Sequence, residues 1–246
     1  LDLVRGDPSE RRKFIDQLIT LRSPRIAGVI SDYERALRQR NALLKSRSNP
    51  AALAPWDEQV ATLGGEIIAF RLKGLLDFDP LFKEIYKEIS SEKPAWIAYK
   101  SSIEEPTDDA QLNAKKILER MQATRSSEIE RGLTLTGPHR DDLLLNLGEH
   151  LVKGYASHGE SWSIALSLKL AMYQLLVNDG LKPILILDDV FSELDEERRV
   201  HLIELAKRAE QTLITVAVES DLPAEIEGNR YAIKSGSATP LNIGAN

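Results

Sequence analysis

The sequence contains no cysteine, only two methionines and only four histidines. Disulfides, thiolate catalysis and every zinc site that needs sulfur are thereby excluded, leaving the histidines and carboxylates as metal ligands. Any metal is therefore expected to be hard and oxygen-bound. Long apolar runs are missing as well. None reaches the roughly 18 residues that span a bilayer, and no charged-then-apolar leader ends in a cleavage site. A cytoplasmic address with no membrane partner is the expectation. Aromatic residues are scarce at 6%, yet 42% hydrophobic and 28% charged residues are the balance of a globular chain. With 246 residues there is room for one large domain or two small ones around an ordinary core.

The formal net charge of −6 argues against a surface that coats nucleic acid throughout, but the charge is uneven. Residues 1–50 hold 11 Lys/Arg against 6 Asp/Glu, and the remainder holds 21 against 32. That bias allows a local phosphate-binding face near the start. A solvated, Arg-rich helix explains it equally well.

The first half reads as helices. Ser23 and Pro24 make an N-cap and N1 pair, and Ile26, Ile30, Tyr33, Leu37 and Leu44 recur at helical spacing as far as Asn49 and Pro50, with Arg35, Arg38 and Arg40 outside the stripe. Pro55 opens a second helix, weakened by Gly64 and Gly65, and Asp79 with Pro80 opens a short third. A strand over 95–100 and a helix over 107–131 follow. From 133 onward the pattern mixes: strands over 133–136, 143–147 and 150–156, a helix over 159–178, a fully apolar strand over 184–187, a helix over 194–209 and a strand over 212–218. This is βαβ-like alternation. The tail after Ser235 is expected to be loosely ordered.

Three short segments could carry chemistry. Ile184 to Leu187 end in Asp188 and Asp189, placing two acids at the strand end where open α/β folds bind ligands. In a nucleotide site the first acid would hold Mg2+ through water and the second would orient or deprotonate the attacking water. Two solvated loop acids after a core strand are the plain alternative. Ser157-His158-Gly159-Glu160 stands directly before a helix, where backbone N–H groups and the helix dipole favour an anion; an ordinary cap fits the same residues. Ser192-Glu193-Leu194-Asp195 taken singly is also a capping sequence.

The order and spacing of the three carry more than any one of them. They resemble the signature, Walker B and D-loop series of ABC-type ATPases, and their wording is similar to the RecF family of recombination and gap-repair proteins. Thr136-Gly137-Pro138-His139-Arg140-Asp141-Asp142, Ala156 to Glu160 and Leu187 to Asp195 all look like RecF blocks. So do Leu1 to Val4 with Gly6, Pro8, Arg11 and Arg12, and the run Arg38 to Asn41. The resemblance implies an α/β fold: an ABC-type ATPase head comprising part of lobe I (132–246) and a mostly helical lobe II (8–131).

It further implies ATP and Mg2+ as cofactors and a homodimer closed by ATP. Asp188 would help to hold the metal and Asp189 would activate water, while Ser157, Gly159, Glu160 and Asp195 would act on the partner's ATP. DNA at gaps or junctions, RecR, and RecO as a further candidate are the implied partners, in repair, replication and the SOS response. Within the chain, Arg35, Arg38 and Arg40 are the candidate DNA contacts. His158 and Ser161 depart from the glutamines common in relatives, and Glu219-Ser220-Asp221 leaves the switch-histidine role unassigned.

No G-x-x-x-x-G-K-[ST] occurs. The front of the family's pattern is therefore expected to be absent, and this polypeptide alone is expected neither to bind ATP tightly nor to hydrolyse it. Two other classes compete. A phosphoacceptor receiver domain also ends a strand in two acids, but too little chain follows Asp189 to complete one. A non-catalytic DNA or protein interaction module with an idle ATPase half is the other.

Overall fold

The computed structural model describes residues 1–46, 50–90, 93–191, 196–218, 221–222 and 225–241. The chain divides into two compact units, Leu1–Leu181 and Lys182–Asn246. The first contains helices α1 (Asp2–Arg5), α2 (Pro8–Arg22), α3 (Arg25–Lys45), α4 (Pro50–Ile89), α5 (Ala110–Ala123), α6 (Arg125–Arg131) and α7 (His158–Asn178). It also holds an antiparallel sheet ordered β1 (Ala95–Lys100), β2 (Asp142–Leu147), β3 (His150–Leu151).

The organising element is α4, a single 40-residue helix where two were expected. Pro80 does not end it. The amide it lacks would have bonded the carbonyl of Leu76, a residue 77% exposed, so that carbonyl can turn to water at little cost. Asp79, read as a cap, instead accepts the Ile97 N–H at 2.9 Å and so ties the helix to β1. Helices α2, α3, α5 and α7 pack around it. A ladder of Phe14, Phe78, Phe82 and Tyr86, with centroid spacings of 5.6, 6.4 and 6.1 Å, fills one end. The two glycines that weakened the sequence reading are what allow α5 to approach. A Cβ on Gly65 would lie 2.4 Å from the Ala110 carbonyl oxygen, and one on Gly64 would lie 3.2 Å from Ile117 Cδ1.

Helix α3 buries Ile26, Val29, Tyr33, Ala36, Arg40 and Leu44. Its stripe therefore includes Arg40, which corrects the expectation that this arginine points outward. Position 40 lies seven residues after Tyr33 and four before Leu44, on the same helical face. Its charge is met there by Asp57, Glu128 and Thr134 at 2.7, 2.6 and 2.7 Å.

Three further expectations change. No strand forms over 133–136, because its backbone is already satisfied by side chains. Thr134 N–H donates to Asn41 (2.7 Å), Leu135 N–H donates to Glu128 (2.8 Å), and the Thr134 carbonyl accepts from Arg140. The single helix expected over 107–131 becomes α5 and α6, parted at Thr124, whose hydroxyl donates to the Arg120 carbonyl. The strand expected over 150–156 shortens to β3, since the amides of Tyr155 and Ala156 both turn back to the Val152 carbonyl.

In the second unit, β4 (Leu185–Asp188) and β5 (Thr212–Thr215) pair in parallel, with Asp188 opposite Thr215, and α8 (Glu196–Arg208) lies between them in sequence. Leu185 and Leu187 are buried, but Ile184 and Ile186 are 53% and 64% exposed. The strand is thus buried on one face rather than both. The tail, expected to be loosely ordered after Ser235, is regular structure over the described residues 230–241. β6 (Arg230–Lys234) and β7 (Ser237–Leu241) form a hairpin around Ser235 and Gly236, whose positive φ values of 50° and 79° suit a two-residue turn.

Candidate functional site

Ser157 is the N-cap of α7 in a complete capping box. Its hydroxyl accepts the Glu160 N–H at 3.2 Å, and the Glu160 carboxylate accepts the Ser157 N–H at 2.8 Å. That hydrogen bond, reinforced by the Ser157 side chain and by Lys93, holds the Glu160 carboxyl below its ordinary pKa. The amides of His158 and Gly159 are among the four that any helix start leaves without an intrahelical partner. Ser157, His158 and Gly159 are exposed, and a Cβ on Gly159 would meet nothing within 4 Å. The fold itself does not require glycine there. Ser161, by contrast, is fully buried, donating to the Ser157 carbonyl at 2.8 Å and accepting from Arg5 Nε at 3.0 Å. Arg5 also donates to the Ala156 carbonyl. Arg5 and Lys93 thus brace the segment from positions far away in sequence, which no spacing rule could reveal.

Asp188 and Asp189 stand at the carboxyl end of β4, both exposed. The Thr215 hydroxyl donates to Asp188 Oδ1, and the Asp189 N–H donates to the Thr215 carbonyl at 3.1 Å and to its hydroxyl at 3.2 Å. Asp189 has a φ of 50°, a left-handed conformation that aspartate tolerates better than most residues. The parallel register sets the two acids against Thr215, a partner that the sequence reading did not name. The nearest available signal was its place at the end of the neighbouring strand. Among the described residues, no three His, Asp or Glu side chains form a metal-holding group. Asp195, with Ser192, Glu193 and Leu194, lies outside the described residues, as do Glu219 and Ser220.

The candidate DNA contacts divide. Arg35 and Arg38 are exposed and paired loosely along α3, with Asp32 at 3.0 Å and Glu34 at 3.8 Å. Arg40 is fully buried and removed from that set. The cluster at 139–142 is a satisfied network. Asp141 accepts from Tyr99 (2.6 Å) and from the Ser102 N–H (2.7 Å), Asp142 takes both arms of Arg11, and His139 Nδ1 meets the Tyr33 hydroxyl at 2.6 Å. Burial pushes the His139 imidazole down to about 4. No helix among the described residues is long and apolar enough to cross a membrane.

No protein-family model matches the sequence. Among curated relatives, the DNA replication and repair protein RecF of Streptomyces avermitilis is 45% identical over 248 residues, covering 96% of this chain and 66% of its own length. RecF of Beutenbergia cavernae is 45% identical over 270 residues, with 96% and 68% covered. The chain therefore spans about two thirds of the relatives it matches. Among solved structures, the recombination mediator protein RecF with ATP superposes with a TM-score of 0.86 at 26% identity, over 98% of this chain and 65% of that one. The Smc head domain of Pyrococcus furiosus reaches 0.52 at 14% identity, over 98% of this chain and 58% of that one, a likeness of fold alone. With close to half its residues shared with proteins of which it covers about two thirds, and with the ATPase-head fold they adopt, the chain belongs to the RecF family.

Proposed function

We propose that this chain is the signature- and Walker B-bearing part of an ATP-driven DNA replication and repair protein. The observation that carries the reading is local. A fully capped helix start with an exposed, structurally unneeded glycine occurs in the same chain as two acids at the open end of a parallel strand. Each is what a nucleotide site shared between two protomers needs. The mostly helical stretch 8–131 is proposed as lobe II and 132–246 as part of lobe I.

In the complete protein, Ser157 and Gly159 would receive the terminal phosphate of the partner's ATP. The Ser157 hydroxyl, used as an acceptor by Glu160, still has its own proton to give, and the neighbouring amides and dipole favour the anion. Glu160 acts mainly through the cap, keeping that geometry. Asp188, Asp189 and the Thr215 hydroxyl are the oxygen donors that suit a hydrated Mg2+, which when bound would neutralise phosphate charge. Asp189 would orient and deprotonate the attacking water. Asp195 is assigned the contact across the interface by its place in the motif alone. ATP would close a homodimer and hydrolysis would open it. DNA at gaps or junctions, RecR and RecO are the proposed partners, in the cytoplasm, with Arg35 and Arg38 as candidate DNA contacts.

The test uses the complete protein. Asp189→Asn should form ATP-dependent dimers, read by light scattering, that persist because turnover is slow. Ser157→Arg should not dimerise. Normal turnover in both variants would overturn the assignment.

A further inference from the structure

The turn at 137–142 is the motif that the nucleotide reading leaves unused, and three cations converge on it. Arg12, from α2, donates Nη1 to the Asp141 carbonyl at 2.9 Å. Arg140 donates Nε and Nη2 to the Thr134 carbonyl at 3.0 and 2.8 Å. Lys100, in β1, is the cross-strand partner of Asp142. Arg140 and Lys100 are exposed and Arg12 is half-buried.

The acids close by are already engaged. Asp142 is held by both arms of Arg11 at 2.8 and 2.9 Å, Asp16 by both arms of Arg71 at 2.8 Å, and Asp141 is buried beneath Tyr99 and Ser102. Among the described residues, no ion pair joins Arg12, Lys100 or Arg140 to a carboxylate. Two of the three cations are anchored on neutral carbonyls instead, which fixes a guanidinium in place without cancelling its charge. Burial, and after it the neighbouring Arg71, lowers the Arg12 pKa, against a weaker opposing attraction from Asp142, Asp16 and Asp141. A bound anion would relieve that crowding.

We propose that Arg12, Lys100 and Arg140 form a phosphate-binding cluster that engages the backbone of duplex DNA. The inference rests on the DNA-binding reading above but places contact on a surface other than Arg35 and Arg38. A nucleotide suits the cluster less well, because several amides in and beside the turn are used internally. Gly137 N–H donates to the Ser102 hydroxyl at 2.8 Å, Arg140 N–H to the Gly137 carbonyl at 2.8 Å and Leu143 N–H to Asp142 at 2.8 Å. Those amides are not offered to a polyphosphate. Cations contributed by a helix, a strand and a turn can each take a separate phosphate of a backbone.

The experiment is a fluorescence-anisotropy titration of a labelled duplex with the whole chain, without nucleotide, across a salt series. Lys100→Gln with Arg140→Gln should weaken binding about tenfold and reduce the slope of log affinity against log salt by about two. Lys100 is exposed, so Lys100→Gln alone should hold the melting temperature and lose about one unit of slope. Arg140→Gln also gives up two hydrogen bonds to the Thr134 carbonyl and is read beside its own melt. Arg12→Gln should weaken binding further, and Arg12→Lys should restore most of it. Unchanged affinity and slope in the double variant, with loss in Arg35→Gln/Arg38→Gln, overturns this inference and leaves DNA binding intact. Absence of binding by the unaltered chain at low salt overturns this inference, and the same duplex titrated with the complete protein and ATP tests the DNA-binding reading separately. Displacement of the duplex by ATP from the unaltered chain, but not from the double variant, would make the ligand a nucleotide phosphate and overturn the DNA assignment.

Discussion

Arg40 Nη2 lies 2.6 Å from Glu128 Oε2 with both side chains fully buried, a contact between residues 88 apart in the chain. Asp57 and Thr134 complete the coordination of the guanidinium, and Arg125 reaches Asp57 from α6. The charge is thus a joint between α3, α4 and α6 rather than a surface feature.

Removing one member of such a pair leaves the other buried and uncompensated. Arg40→Ala should therefore destabilise the chain by about 3–5 kcal/mol, read as a lower urea midpoint. Arg38→Ala, on the exposed face, should change the midpoint little. Equal midpoints for the two variants would show that the buried network contributes nothing.

His139 sets a pH dependence. Its folded pKa of about 4 lies below the ordinary histidine value, so the folded state disfavours protonation. Stability is complete above the unfolded pKa near 6.5 and falls as pH drops toward 4, where the unfolded chain gains a proton that the folded one refuses. The loss attributable to this residue should be about 3 kcal/mol at most. Urea titrations of His139→Gln should show a flatter decline between pH 6.5 and 4; a slope equal to that of the unaltered chain would remove His139 as its source.

Two helix glycines should respond in opposite directions. A Cβ on Gly65 would collide with the Ala110 carbonyl at 2.4 Å and with Ala114 N at 2.6 Å, so Gly65→Ala should cost about 1–3 kcal/mol through overpacking of α4 on α5. Gly28, in α3, is exposed and would meet nothing within 4 Å; Gly28→Ala should stabilise by about 0.4–1 kcal/mol. Thermal melts of the two variants decide the matter by the sign of each shift.

At the start of α7, structure and proposed function separate cleanly. Ser157→Ala should lower stability by about 1 kcal/mol through loss of the cap, whereas Gly159→Ala should not lower it at all, since the added methyl enters open space. In the complete protein, Gly159→Ala is nonetheless expected to weaken ATP-dependent dimerisation. Full dimerisation by this variant would mean that the glycine has no partner to admit.

Thr215→Val removes the hydroxyl that donates to Asp188 and accepts from the Asp189 amide. The expected result is a folded chain with an unchanged melting temperature and, in the complete protein, slower ATP turnover at unchanged ATP affinity. Turnover equal to that of the unaltered protein would leave Thr215 a bystander.

The sequence by itself determined the local pieces. The cap at Ser157, the helix behind it, the parallel alternation around the apolar run and the pair of acids at its end are all set by residues close in the chain, because helix starts and strand ends are written in local hydrogen-bonding and hydrophobic period. Tertiary structure alone decided which polar side chains are buried, since that depends on partners far away in sequence. Arg40 went inside because Asp57 and Glu128 await it, α4 continued through Pro80 because the released carbonyl can face water, and 133–136 lost its strand because distant side chains took its amides. Strand register put Thr215 beside the acids, and the spending of Asp16, Asp141 and Asp142 on other partners left Arg12, Lys100 and Arg140 with their charge.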